Sequence, residues 1–108
     1  MIEGSSWQSL TIKTIRLAIN KWERFSDTLR KIFELKDQDG FFVGQVAVAT
    51  LQSSENVLEH CLELKRLGII EKDEMPESAA ISSPSEIFFK ISGKGLSMEN
   101  KLKELELI

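Results

Sequence analysis

Apolar residues recur at Ile12, Ile15, Ile19 and Trp22, a three-four-three spacing that predicts a helix over about residues 7–25. Leu10 and Leu17 widen the stripe, and Ser5 and Ser6 are its candidate N-caps. A second helix is expected to start at Ser26 as its cap, with Leu29, Ile32, Phe33 and Leu35 on its buried side. Asp37-Gln38-Asp39-Gly40 has the composition of a turn. Phe41 to Val43 reads as a short extended piece, and Gln45 to Leu51 as a short helix with small contacts at Val46, Ala47 and Ala49. Ser53 then caps a third amphipathic segment in which Val57, Cys61 and Leu64 lie on one face and Gly68 ends the helix in a left-handed turn. Ile69 to Lys72 is extended. Asp73 to Ser85, rich in proline, serine and acids, reads as a mobile loop. Glu86 to Ile91 alternates like a strand, Ser92 to Gly95 turns the chain, and Ser97 caps a last helix with a seam of Met98, Leu102 and Leu105.

Composition narrows the class. The 108 residues, 42% of them hydrophobic, suffice for one core, and no internal repeat or second domain is visible. Single cysteine and histidine residues exclude an intramolecular disulfide and most metal clusters, so no metal and no cofactor are expected and a reducing cytoplasm is the expected location. The N-terminus MIEGSSWQSL lacks the basic start and apolar centre of a secretory leader. Net charge is −3, yet the first third is locally basic, with Lys13, Arg16, Lys21 and Arg24 mostly off the apolar stripe. An enzyme is not expected. Gly93-Lys94-Gly95 is too short for a phosphate loop, and His60 and Cys61, being adjacent, point about 100° apart on a helix. Cys61 is read as buried and His60 as solvent-facing.

Three motifs in order carry a family resemblance. Phe42-Val43-Gly44-Gln45-Val46-Ala47-Val48-Ala49 looks like the entry to the second helix of the motif. Ser53 to Glu71 looks like a recognition helix running into the first wing strand. Ile87 to Leu96 is similar to a second wing strand and its ending. Together they resemble the winged helix-turn-helix domains of prokaryotic transcription regulators, MarR-like or PadR-like in arrangement. The resemblance implies a mainly α fold with a small β wing (α+β), a single domain over 1–108. Its parts would be an N-terminal helix in 1–25, a winged core in 26–96 and a C-terminal helix in 97–108.

For function, the resemblance implies a DNA-binding transcriptional regulator in the form of a homodimer. The recognition helix would enter the major groove, with Ser54 and Asn56 at base or phosphate edges and Lys65, Arg66, Lys72, Lys90 and Lys94 on the double-stranded DNA backbone. Apolar surface on the terminal helices, at Ile15, Ile19, Trp22, Leu102 and Leu105, is the expected dimer interface. Glu55 and Glu59 repel phosphate, and Leu58 and Leu62 stand off the buried stripe. These four residues leave open an alternative in which the same winged helix is an interaction module that binds protein through Leu58 and Leu62 and does not bind DNA.

Overall fold

The first helix, α1 (Ser6–Lys21), forms where the apolar stripe predicts one and buries Ile12, Ile15 and Ala18. The computed structural model describes residues 6–72 and 83–108. The Ser5 cap and the greater part of the loop, residues 73–82, lie outside the described residues. The helix stops four residues short of the expected Phe25, because Phe25 is fully buried and starts the next helix, α2 (Phe25–Glu34). A tight corner at Trp22 to Arg24 makes the change of direction. Arg24 sits in the left-handed region at φ 65°. Its side chain holds that corner, donating from Nε to Asp27 at 2.9 Å and from Nη1 to the Leu51 carbonyl at 3.1 Å. Ser26 is therefore inside the helix and is not its cap, which corrects the sequence expectation.

Strand β1 (Phe41–Phe42) leads without a break into α3 (Val43–Thr50). The helix begins two residues earlier than its composition suggests. The Gln45 side chain accepts from the Phe42 amide at 3.4 Å, and the Val43 amide is taken by the Ile87 carbonyl at 2.9 Å, so the first turn is satisfied from both sides. After Leu51, also left-handed at φ 58°, comes α4 (Ser54–Arg66). Ser53 Oγ accepts from the Asn56 amide at 3.1 Å, as expected of the cap. At the other end Gly68 takes φ 83°. The Ile69 amide bonds back to the Leu64 carbonyl and the Gly68 amide to that of Lys65, both at 3.0 Å. That double bond pattern is a Schellman ending, with Ile69 and Leu64 both fully buried beside it.

Strands β2 (Ile70–Lys72) and β3 (Phe88–Ile91) are the expected wing, antiparallel with Ile70 opposite Ile91 and Lys72 opposite Phe89. On its other edge β3 pairs with β1, giving the three-stranded order β1-β3-β2. Phe41 and Phe89 stack 6.2 Å apart on the buried face, while Phe42 and Phe88 meet edge to face at 4.8 Å on the other. Pro84–Glu86 forms a short 3-10 turn packed near α3 and α4, where an irregular loop was expected.

The segment Ser92 to Gly95 corrects another expectation. It starts a helix, α5 (Gly93–Ser97), with Ser92 Oγ accepting from the Gly95 amide at 2.9 Å. Ser97 closes this helix, its hydroxyl donating to the Lys94 carbonyl at 2.8 Å, and so does not cap the next one, α6 (Glu99–Glu104). The core joins all layers: Ile15 from α1, Phe25, Leu29 and Ile32 from α2, Val43 and Val46 from α3, Leu64 from α4, Phe89 from the wing, and Met98 and Leu102 from the C-terminal end.

Candidate nucleic-acid interface

The helix-turn-helix pair is α3 and α4, joined by Leu51 to Ser53. Helix α4 turns Val57, His60, Cys61 and Leu64 inward, and every one of these is fully buried. Its outward ridge is Glu55, Glu59, Leu62 and Arg66, all exposed. Ser54, Asn56 and Leu58 lie half-buried on the flanks, and Leu58 also packs against the core. The first two turns of the outward ridge are thus acidic. Glu55 suits the positive end of the helix dipole, so its placement stabilises the helix while opposing a phosphate approach.

His60 lies inside the protein, contrary to the sequence reading. Its Nδ1 is 2.7 Å from Thr28 Oγ1 on α2, and its ring packs against Phe25 (centroids 5.1 Å apart) and Trp22 (6.1 Å). The other ring nitrogen, Nε2, is enclosed with no hydrogen-bond partner among the described residues. Burial pushes the imidazole down to about 4 from its ordinary 6.5. A signal for this was present in the chain: His60 falls three residues after Val57 and four before Leu64, within the apolar stripe. Cys61 is buried as expected, and burial pushes its thiol up to about 12.

The histidine ends a polar chain that reaches the recognition surface. Gln52 Nε2 donates to both Thr28 Oγ1 and Thr50 Oγ1 at 2.9 Å, and Gln52 Oε1 accepts from Asn56 Nδ2 at 2.7 Å. Asn56, a candidate base reader, therefore has one of its two amide N–H donors engaged on the turn between α3 and α4. That fixes the residue in place and reduces what it can offer to a base edge.

The candidate backbone contacts divide into two groups. Lys65, Arg66 and Lys94 gather around the C-terminal end of α4. Arg66 Nε pairs with Glu63 at 3.1 Å, and Lys94 Nζ donates to the Leu67 carbonyl at 2.9 Å while lying 4.9 Å from the Trp7 ring centre. Such cations favour the negative end of a helix. Lys72 and Lys90 are exposed on the wing, and Lys90 stands opposite Glu71. Ser54 and Asn56 are at the other end of α4, so the seven residues form no single patch.

The expected dimer residues are also relocated. Ile15 and Leu102 are fully buried within the monomer, and Ile19, Trp22 and Leu105 are half-buried against the same core. Their hydrophobicity is used by the chain itself, since α1 and the C-terminal helices close over α2 and α4. The apolar surface that α1 leaves in solvent is on its opposite side, at Leu10 (65% exposed) and Leu17 (59%). No group of three or more histidine, cysteine, aspartate or glutamate side chains among the described residues could hold a metal ion, and no described helix is long and apolar enough to cross a membrane.

A helix-turn-helix pair followed by a two-stranded antiparallel wing, with β1 ahead of the pair completing the sheet and terminal helices flanking it, is the winged helix-turn-helix fold, in the arrangement of MarR regulators. Solved structures share it. One described as MarR aligns at 13% identity with a TM-score of 0.59, over 97% of this chain and 76% of that chain. A multiple antibiotic-resistance repressor (MarR) from Listeria monocytogenes aligns at 14% and 0.56, over 98% and 77%. NMB1585, a MarR family regulator from Neisseria meningitidis, aligns at 14% and 0.55, over 96% and 72%. No family model and no curated protein matches the chain. At such identities the likeness is one of fold.

Proposed function

We propose that the chain is a cytoplasmic, non-enzymatic winged-helix transcription regulator that binds double-stranded DNA and forms homodimers. The observation that supports it most is the open N-terminal half of a capped α4, carried on a helix-turn-helix pair and followed by a wing with exposed Lys72 and Lys90. In this reading the wing lysines and Lys65 meet phosphates, and Ser54 and Asn56 lie nearest the bases. Homodimerisation would use surface other than Ile15 and Leu102, which are core residues.

Glu55 and Glu59 define the test. Retardation of random-sequence DNA is expected at low salt and should fade steeply as salt rises. Glu55→Gln with Glu59→Gln should tighten this non-specific binding by about tenfold, each removed carboxylate being worth several tenths of a kcal/mol or more near a phosphate. Lys72→Ala and Lys90→Ala should each reduce the salt slope by about one unit. Absence of retardation in both the native protein and the glutamine variant at low salt would sink the DNA reading.

One observation favours a second reading, a protein-docking module that leaves DNA alone. The outward ridge of α4 combines two carboxylates with Leu62, which is 52% exposed. A ridge of that kind suits a basic, partly apolar protein surface better than a phosphate backbone. Leu58 would contribute only its exposed edge, because its remainder packs on the core.

A further inference from the structure

The hydroxyl and amide protons around the α3–α4 turn can be placed one by one, and their order fixes which atoms Asn56 has left to offer. Thr50 has a single hydroxyl proton, which it donates to the Val46 carbonyl at 2.7 Å. Thr50 Oγ1 can therefore only accept from Gln52, so the nitrogen of the Gln52 amide faces it. The same nitrogen donates to Thr28 Oγ1 at 2.9 Å. The Thr28 proton goes on to His60 Nδ1 at 2.7 Å, its one remaining partner among the described residues. With the Gln52 nitrogen held in this way, Gln52 Oε1 is turned to Asn56, 2.7 Å from Nδ2. An amide oxygen only accepts, so Asn56 gives it a nitrogen and not an oxygen. One N–H of Asn56 is used there. What remains is a second N–H and Oδ1, and Oδ1 is neither enclosed nor hydrogen-bonded among the described residues.

We propose that Gln52 is a positioning residue for base readout, holding Asn56 so that its Oδ1 and second N–H meet an adenine in the major groove. Among the four bases, adenine alone sets a donor and a ring-nitrogen acceptor side by side on that edge, the N6 amine and N7. Guanine presents two acceptors there, and Oδ1 would face one of them. Cytosine and thymine each present a single hydrogen-bonding group. An unheld asparagine can turn its amide over and must be ordered when DNA arrives. One held by Gln52 keeps a single orientation beforehand, which lowers the entropy lost on binding. The anchor is firm because its far end is inside the protein. Thr28, Thr50 and His60 are all buried, and Thr28 belongs to α2, so the aim of Asn56 is referred to the core and not to the turn alone. The inference rests on the DNA reading of the preceding section. It adds the base, the two reading groups and the residue that aims them.

The test is base preference, position by position. Duplexes with a randomised centre, retained by the native protein at low salt, supply the sequence. Binding of every single-base change in it is then measured for the native chain, Asn56→Ala and Gln52→Met. One position should prefer adenine by about tenfold or more, and both variants should lose that preference. At that position 7-deazaadenine, which lacks the N7 acceptor, or purine, which lacks the exocyclic amine, should weaken the native protein by about tenfold and leave both variants unchanged. In Gln52→Met, affinity for random duplexes and preference at the other positions should stay within about twofold, because phosphate contacts carry no sequence information. A merely structural part for Gln52 would not give that split. The fold should hold, since Thr50 still donates to Val46 and Thr28 to His60, and circular dichroism checks it. Should methionine disturb the turn, Gln52→Ala removes the same acceptor with less bulk. A Gln52 variant that keeps the adenine preference, or that weakens all sequences alike, would overturn the proposal. A retained sequence in which Asn56→Ala alters no adenine position would do the same. Failure of the native protein to retain any duplex is a separate result, which removes the DNA reading and this inference together.

Discussion

Gly95→Ala should destabilise the fold severely, whereas Gly93→Ala, two residues earlier in the same helix, should be neutral or slightly stabilising. A Cβ on Gly95 would lie 2.2 Å from the Ile69 carbonyl oxygen and 2.9 Å from Ile91 Cγ2, and the first of these is backbone that cannot swing aside. The crowding has a structural origin. The Ile69 carbonyl accepts from the Ser92 amide at 3.0 Å, and Ser92 Oγ bonds the Gly68 and Ile69 carbonyls while capping α5. The end of β3 is thereby stitched to the exit of α4, and α5 begins with its backbone against that seam. Moving α5 away to admit a methyl group breaks the cap and loosens Met98 and Leu102, both fully buried just beyond. Overpacking against backbone of this kind costs about 3 kcal/mol or more, a large part of the stability of a domain this size. No atom lies within 4 Å of a Cβ on Gly93, where alanine gains helix propensity. Urea unfolding followed by circular dichroism would check the pair. Equal midpoints for the two variants would show that the contact at Gly95 can relax.

That contrast marks how far the chain could be read without coordinates. Local chemistry was legible: Ser53 as a cap, Gly68 as a left-handed ending, and the alternation that placed the wing at Ile69 to Lys72 and Glu86 to Ile91. Each is set by residues within a few positions of one another. What failed depends on distant segments. Gly93 and Gly95 look alike in sequence, and they differ only because Ile69 comes back to one of them. The apolar stripe of α1 was correctly seen, but periodicity does not say whether it faces its own core or another chain; Ile15 at zero exposure answers that. The first helix was expected to extend to Phe25 because Trp22 continues the stripe. The break at Arg24 is a tertiary event, held by the Leu51 carbonyl 27 residues away. Of the candidate site, the acidic character of α4 was readable from Glu55 and Glu59, whereas the engagement of Asn56 on Gln52 was not, since it depends on the α3–α4 turn.

Acid should destabilise the protein well before its carboxylates titrate, and His60 should be the cause. In the unfolded chain this imidazole takes a proton near its ordinary 6.5, but in the native core it does so only at about 4. A group whose native value is depressed adds stability above the unfolded value and loses it as the pH falls toward the native one. Between those two values the unfolded state binds the extra proton, so stability falls by up to about 1.4 kcal/mol per pH unit. About 2.5 kcal/mol should therefore be lost between pH 7 and pH 4.5. The surroundings account for the shift. Trp22 and Phe25 cover the ring, Nε2 has no described partner, and Nδ1 meets only the Thr28 hydroxyl, which already accepts from Gln52. A second proton would find no acceptor there, and a charge without water or a counter-ion is costly. The Glu99 carboxyl, held below its ordinary 4.5 by its hydrogen bond with Lys36, has the same sign but a lower window, and solvent screening of this surface pair keeps the contribution small. His60→Leu separates the two. The variant should lose about 1–2 kcal/mol at neutral pH from the broken Thr28 contact, yet its stability should be nearly flat between pH 7 and pH 4.5. Urea midpoints at those two values give the answer. A variant that falls with acid as steeply as the native protein would place the sensitivity elsewhere. A flat variant assigns it to the imidazole at the inner end of the Thr28–Gln52–Asn56 chain.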